Sequence, residues 1–229
     1  MNSQIKVELL ETMGSDQAIA HSAWTSSLDI SKKELRTEED ITRVVNMLAD
    51  LKHSVPFESV VMRFWMRIPI STDRQVMTHR IASHSGMSGR YRTMPNDFLE
   101  MPDDAKTILN KLTGNTYYIK YYQEICEDAN QAYRQVLNDC KQAEKAGMIS
   151  NQEYKRLREV YRNILPQGNM TERVTVMNLR SFANFYKLRS KMDAQPEIQE
   201  LANKMMEALK ESNICPIALT ALERNNWTI

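Results

Sequence analysis

The sequence contains few cysteines and few glycines, and both shortages exclude familiar kinds of site. Three of the 229 residues are cysteine (Cys126, Cys140 and Cys215), and no two of them form a CxxC pair. This spacing argues against a disulfide framework and against a structural zinc site, so we expect all three thiols to be reduced. The six glycines form neither a GxxxxGK[ST] phosphate loop nor a GxGxxG dinucleotide fingerprint.

Long apolar runs and an excess of one charge are absent as well. No segment approaches the roughly 18 consecutive apolar residues of a membrane helix, and residues 1–7 lack the basic and then apolar pattern of a secretion signal. The 30 Lys and Arg residues exceed the 29 Asp and Glu residues by one, which gives a net charge of +1. We therefore expect a cytoplasmic protein that binds no membrane and no nucleic acid, although this composition leaves room for a local basic pocket.

Hydrophobic periodicity predicts an α+β fold. Ile5, Val7 and Leu9 alternate with charged residues, and the clearest alternation runs from residue 59 to 68 and stops at Pro69. Both patterns are typical of strands, and residues 173–177 predict another. Helical patterns cover residues 17–24, 38–52 and 196–209. A short helix is predicted to be capped by residues 71–73 and to run into residue 79, and a long one covers 118–140 and ends at Gly147. Two more helices are predicted from 150 to Pro166 and from about 179, the latter with Phe182, Phe185 and Leu188. These elements predict one domain over residues 1–229, with a small mixed sheet packed with long helices.

Helix ends and faces are also predicted. Thr37 with Asp40, and Ser150 with Glu153, have the spacing of capping boxes. The long helix should present an apolar face that repeats every three or four residues. That face consists of Tyr118, Tyr122, Ile125, Ala129, Ala132, Val136 and Cys140.

A first basic cluster surrounds a segment of small residues. Arg74, His79, Arg80 and Arg90 flank residues 83–89, which contain two glycines and no periodicity and therefore predict a loop. Such a loop lets backbone N–H groups approach an anion, while arginines offer forked donors to phosphate. The cluster favours a nucleotide phosphate site, and surface arginines beside a solvated turn are the equally weighted alternative.

A second cluster combines guanidinium and amide groups. On a helix that starts near residue 179, Arg180 and Asn184 are four residues apart and share a side, while Asn178 directly precedes the helix. Taken alone, such a face is more often solvated or salt-bridged than functional. The same holds for His53, which can be a helix-end histidine, and no metal-ligand spacing or catalytic cysteine signature is present.

The combination of these motifs resembles the flavin-dependent thymidylate synthases. Their signature is Arg-His-Arg, seven residues and Ser, and here Thr78-His79-Arg80 is followed by seven residues and Ser88. Further blocks agree with that family in order and spacing from about residue 50 to 200. They are His53 with Pro56-Phe57-Glu58, Arg162 with Ile164-Leu165-Pro166, and the stretch from Asn178 through Arg180 and Asn184 to Arg189.

The resemblance implies a homotetramer with FAD, whose active sites form where subunits meet. It implies reductive methylation of the pyrimidine deoxynucleoside monophosphate dUMP to dTMP, with methylenetetrahydrofolate as carbon donor, NADPH as reductant and no cysteine nucleophile. The catalytic residues that it implies are Arg189, Ser88 and His53. The FAD contacts are His53, Thr78, His79, Arg80, Asn178, Arg180 and Asn184. The nucleotide contacts are Gln75, Ser88, Gly89, Arg90, Arg162 and Arg189.

Two departures from the family pattern keep other reactions open. Thr78 replaces the first Arg of the signature, and Ser85-Gly86 replaces an Asn-Glu pair, so one positive and one negative charge are lost together. One alternative is a divergent relative that hydroxymethylates or hydroxylates C5 of dCMP or dUMP. Another is a non-catalytic nucleotide-binding subunit.

Overall fold

The computed structural model describes residues 4–26 and 36–228. The chain forms two compact units, one built from the described residues of 1–68, 74–85 and 172–229, the other from 69–73 and 86–171. The α+β class with a small sheet and dominant helices is confirmed. A single domain over the whole chain stays a prediction.

Four strands and nine α-helices make up the described residues. In chain order they are β1 (Lys6–Met13), α1 (Asp16–Trp24), α2 (Glu38–Asp50), β2 (Val61–Pro69), α3 (Ile70–Val76), β3 (Ser83–Gly86), α4 (Asp103–Thr113), α5 (Tyr117–Lys145), α6 (Asn151–Tyr161), β4 (Met170–Asn178), α7 (Leu179–Arg189), α8 (Pro196–Ser212) and α9 (Pro216–Arg224). Short 3-10 turns lie at Val55–Ser59 and Arg162–Ile164. The sequence patterns did not predict α4 or α9.

The strands form one sheet in the order β1-β2-β4-β3. β1 and β2 are antiparallel, with Lys6 opposite Arg67 and Met13 opposite Val61. Leu179, which follows β4, donates its N–H to the carbonyl of Val60, which precedes β2, so this pair runs antiparallel too. We expected a mixed sheet, but both of these strand pairs are antiparallel.

One strand was predicted as a loop. Residues 83–86 form the edge strand β3, so the loop prediction for 83–89 is wrong over this part. Strand structure here comes from backbone pairing with β4, which the side-chain pattern of an exposed edge strand does not reveal. His84 strengthens the pairing, because its Nδ1 lies 3.0 Å from the hydroxyl of Thr175 in β4.

The core of the first unit lies on one face of β2. Met62, Phe64, Met66 and Ile68 are fully buried, as the alternation predicted. Phe182 of α7 stacks on Phe64 with ring centroids 6.1 Å apart. This packing fixes α7 against the sheet by burying its apolar side, and its polar side is left for other contacts.

Both predicted capping boxes are confirmed, but the cap of α3 is not. The boxes at Thr37 and Ser150 are complete. α3 begins at Ile70, directly after β2, and ends before His79. Its first two N–H groups, on Ile70 and Ser71, donate to the backbone carbonyls of residues 169 and 167 at 2.9 Å, so no side-chain cap is needed.

In the second unit, α5 buries a different stripe from the one predicted. Its buried residues are Cys126, Asn130, Tyr133 and Leu137. Tyr118 and Ile125 each keep about half of their surface exposed to solvent, so the predicted apolar face is not the buried one here. The helix itself ends where predicted, at Gly147, which has a positive φ of 73°. Within the described residues, no helix combines the length and apolar character that crossing a bilayer requires.

Candidate active site

α7 organises the residues of the second basic cluster. Asn178 caps it, because its Oδ1 accepts a hydrogen bond of 2.9 Å from the N–H of Ser181. With the apolar side of α7 buried, Arg180, Asn184 and Lys187 follow one another at helical spacing on the other side. The cap therefore fixes where the polar face begins.

This face lines a cavity of about 610 Å³ within the first unit. Four of its side chains, Arg80, Arg180, Lys187 and Arg189, are cationic, and none of its described lining residues is acidic, although Glu58 outside the lining pairs with Arg180. The remaining lining residues are Thr78, His79, Ile81, Met177, Ser181, Asn184, Leu188, Trp227 and Thr228. An enclosure with this charge favours anionic ligands.

Arg189 is held by two neutral acceptors. Its Nε donates to Nε2 of His79 at 3.0 Å, and its Nη2 donates to Oγ1 of Thr78 at 3.1 Å. A guanidinium has only donors, so the Nε2 atom of His79 must be unprotonated. The charge of Arg189 is thus oriented by these two contacts without being neutralised by them.

His79 is neutral at pH 7. Burial, followed by the charges of Arg189 and His84, lowers its pKa from 6.5 to about 4. Its ring meets the edge of Phe185 at a centroid distance of 4.9 Å. His84 lies with Nε2 3.3 Å from the His79 carbonyl, which can only accept, so this nitrogen of His84 carries a proton.

Three further residues predicted for the site differ in their relation to this cavity, since Arg180 lines it and Gln75 and His53 do not. Arg180 forms an ion pair of 2.6 Å with Glu58. Gln75 does not line the cavity but donates from its side-chain amide to Gln195 at 2.7 Å. His53 lines a different cavity of about 820 Å³, together with Trp24 and Pro56. Within one chain, His53 and His79 therefore do not share a cavity.

The second unit brings together the other predicted nucleotide contacts. Ser88 opens a turn in which its carbonyl accepts the N–H groups of Tyr91 at 3.1 Å and Arg92 at 3.0 Å. A Cβ on Gly89 would come within 3.1 Å of Cδ of Arg162, so glycine allows this side chain to lie against the turn. Ser88, Gly89, Arg90 and Arg162 are thus neighbours, and their role in nucleotide binding stays a prediction.

Arg90 is paired with a residue that the sequence analysis did not single out. Its Nε donates to Glu159 at 2.7 Å, and this hydrogen bond holds the pKa of Glu159 below its usual value. Glu159 also contacts Arg156 at 3.4 Å. Lys187, Ser181 and Trp227 of the cavity were missed as well. The helical spacing of Arg180, Asn184 and Lys187 is the sequence signal that could have revealed the first of these.

An α+β fold with an arginine-rich cavity beside its sheet is typical of proteins with anionic ligands, and comparison with known proteins identifies the family. Residues 8–217 match the model of the thymidylate synthase complementing protein family. The flavin-dependent thymidylate synthase of Thermotoga neapolitana is 32% identical over 214 residues, which cover 92% of this chain and 87% of that protein. The corresponding protein of Thermus thermophilus is 30% identical over 225 residues, which cover 96% of this chain and 76% of that protein.

A solved structure agrees with this result. The UMP/dUMP methylase PolB from Streptomyces cacaoi, bound with 5-Br dUMP, superposes with a TM-score of 0.73 at 25% identity, over 99% of this chain and 97% of that chain. The chain belongs to the thymidylate synthase complementing protein family. The resemblance found in the sequence is confirmed, and so is the expectation of an enzyme, which sets aside the non-catalytic alternative.

Proposed function

We propose that this chain is a FAD-dependent enzyme that modifies C5 of a pyrimidine deoxynucleoside monophosphate. The reaction that we propose is reductive methylation of dUMP to dTMP, with methylenetetrahydrofolate as carbon donor and NADPH as reductant. The carrying observation is the cavity of the first unit, whose described lining has four cationic side chains and no acidic one. Both FAD and dUMP carry phosphate, so both ligands match this charge.

The lining also fits a flavin dinucleotide in its polar and apolar parts. Oγ of Ser181 is buried without a hydrogen-bond partner, although it lines the cavity, and a buried hydroxyl of this kind calls for a ligand atom. Met177, Leu188 and Trp227 offer apolar surface for a ring system. The residues that would hold FAD are Thr78, His79, Arg80, Asn178, Arg180 and Asn184, with His53 contributed by another subunit. When bound, the flavin would supply the hydride.

In an active site that forms where subunits meet, the nucleotide would be held by two groups of residues. Arg90 and Arg162, beside the turn of Ser88 and Gly89, would grip the phosphate, because guanidinium forks match phosphate oxygens. Arg189 would face the N3/O2 edge of the base and stabilise negative charge there, which makes C5 more nucleophilic. The neutral state of His79 supports this role, because an imidazolium would repel Arg189 instead of accepting its hydrogen bond.

The cysteines support a mechanism without a thiolate. Burial raises the pKa of Cys215 to about 12 and also raises the pKa of Cys126. A nucleophilic cysteine needs the opposite shift, because the thiolate is the reactive form. Neither buried thiol is therefore suited to attack C6 of a pyrimidine.

A second reaction is favoured by the two departures from the family signature. Thr78 removes a permanent cation next to Arg189, and Gly86 removes a carboxylate. A changed charge pattern at these positions can change which base is held and which group is added. Hydroxymethylation or hydroxylation of C5 of dCMP or dUMP is therefore the alternative product chemistry.

Product mass distinguishes these reactions. The holoenzyme is reconstituted with FAD, reduced, and incubated with dUMP or dCMP, each with and without methylenetetrahydrofolate. We expect the mass of dTMP only from dUMP with the folate. A mass gain without folate, or a hydroxymethylated product, would replace methylation by the alternative, and a protein that binds no FAD would refute the proposal.

We also propose that the chain assembles with copies of itself through the faces of α4 and α5. α4 is amphipathic, yet none of its residues is buried. Large apolar side chains of the two helices are exposed by about half or more, and exposed patches of this kind mark interaction surfaces. This α4–α5 face consists of Ile108, Leu112, Tyr117, Tyr118, Tyr121 and Ile125. A homotetramer in which subunits share active sites would cover it and would bring His53 of one subunit to the cavity of another.

A further inference from the structure

We infer that Thr78 is a positioning residue for Arg189, which it orients toward the pyrimidine. The inference rests on the proposed function, in which Arg189 faces the base, and it adds a role to the FAD contact expected of residue 78. Thr78 lies where the family signature has an arginine, so the role belongs to this chain's own residue. A set of hydrogen bonds within the first unit supports this role.

Two hydrogen bonds fix the orientation of the Arg189 guanidinium. Nε and Nη2 of Arg189 lie on the same edge of the planar group, and both are occupied, Nε by His79 and Nη2 by Thr78. Two bonds on one edge fix the plane as well as the position of the group. The other three N–H groups, one on Nη2 and two on Nη1, stay available for a ligand, because a guanidinium carries five N–H groups in total.

The hydrogen of the Thr78 hydroxyl points away from Arg189. It donates its hydrogen to the carbonyl of Gln75 at 2.7 Å. Its oxygen can therefore only accept from Arg189, so the two bonds cooperate instead of competing. The side-chain bond between Gln75 and Gln195, at 2.7 Å, ties this turn to the start of α8.

An arginine at position 78 could not hold Arg189 in this way. A guanidinium at residue 78 would have no acceptor to offer and would add a second positive charge beside Arg189. Threonine supplies a neutral oxygen instead. His79 supplies a neutral nitrogen, so Arg189 keeps its full charge for the pyrimidine while two contacts hold it in place.

The test uses three substitutions at residue 78 and one matched control in the FAD-bound protein. Thr78→Val keeps the shape and removes the acceptor, Thr78→Ser keeps the acceptor, and Thr78→Ala is a second variant without a hydroxyl. Thr220→Val is the control, because Thr220 also donates to a backbone carbonyl, at 2.9 Å, but lies outside the cavity lining. The affinity for dUMP is measured by calorimetry, and FAD content by flavin absorbance.

We expect Thr78→Val and Thr78→Ala to bind dUMP about tenfold more weakly, the scale for one hydrogen bond to a charged group. Thr78→Ser should bind dUMP within about twofold of the wild type, and Thr220→Val should match the wild type. Flavin absorbance gives the fraction of FAD-loaded protein to which each dUMP affinity is referred. Unchanged dUMP affinity of the FAD-loaded Thr78→Val and Thr78→Ala variants would overturn the inference, as would equal losses in Thr78→Ser and Thr78→Val. A wild-type protein that binds FAD but no pyrimidine nucleotide would refute the proposed function itself and this inference with it.

Discussion

At the scale of single residues, the contact between Arg189 and His79 joins positions 110 residues apart in the sequence. Because the folded state keeps the pKa of His79 near 4 and an unfolded histidine titrates near 6.5, only the unfolded chain takes up this proton between those values. Stability is therefore fully present above pH 6.5 and falls as the pH drops toward 4. Protonation would also remove the acceptor that Arg189 uses.

This linkage predicts a specific difference between variants. Replacing His79 by Gln removes the titrating group, so the free energy of unfolding should fall less between pH 7 and pH 5 in His79→Gln than in the wild type. Urea unfolding at both pH values measures it. His21→Gln, in α1 outside the cavity, is measured in parallel as a variant with the same chemical change. An identical pH dependence in His79→Gln and the wild type would contradict a buried, neutral His79.

The sequence could propose residues for the candidate site, because the spacing from His79 to Ser88 and from Asn178 to Arg189 is local information, and their membership in the site stays a prediction. It did not predict their partners. The bonds from Arg189 to Thr78, from Arg180 to Glu58 and from Arg90 to Glu159 join distant parts of the chain, and only the folded packing selects them. The membership of His53, assigned by resemblance, stays a prediction.

At the scale of elements, α7 depends on Asn178 for its first turn. The Oδ1 of Asn178 satisfies the N–H of Ser181, which would otherwise have no helical partner. Asn178→Ala should therefore lower the free energy of unfolding by about 1 kcal/mol, and Asn178→Ser, which keeps a capping oxygen, should recover most of the loss. Urea unfolding of both variants measures the effect. Equal stability of Asn178→Ala and the wild type would show that this cap contributes nothing.

Elements were predicted well where periodicity or a cap is local, and poorly where the backbone of another segment decides. The boxes at Thr37 and Ser150 and the alternation in β2 are such local signals, and all three are confirmed. β3 and the start of α3 depend on backbone hydrogen bonds to residues distant in the sequence, so no side-chain pattern predicted them. In α5, apolar residues occur on more than one side, and the pattern cannot tell which side its own chain buries.

At the scale of the whole molecule, that second apolar side of α5 belongs to the α4–α5 face proposed for self-assembly. Charges placed on it should oppose association, because they would be buried without partners. Tyr121→Glu combined with Ile125→Glu should therefore reduce the mass of the assembly, measured by light scattering after size-exclusion chromatography. Met148→Glu, on an exposed methionine beyond the end of α5, is the control and should keep the wild-type mass.

A wild-type protein that is monomeric at micromolar concentration would refute the assembly, and an unchanged mass of the double variant would place the interface elsewhere. A monomeric wild-type protein would also leave His53 without a route to the cavity of His79. Dependence of activity on assembly follows from the same argument, because the proposed site draws on more than one subunit.

A crystal structure of the protein with both FAD and dUMP bound would decide whether the cation-lined cavity is an active site. We expect the flavin to lie against Arg80, Arg180 and Ser181, and the free edge of the Arg189 guanidinium to contact the N3/O2 edge of the base while His79 and Thr78 hold its other edge. Ligands bound elsewhere, with the guanidinium groups of these arginines facing only solvent, would contradict the proposal.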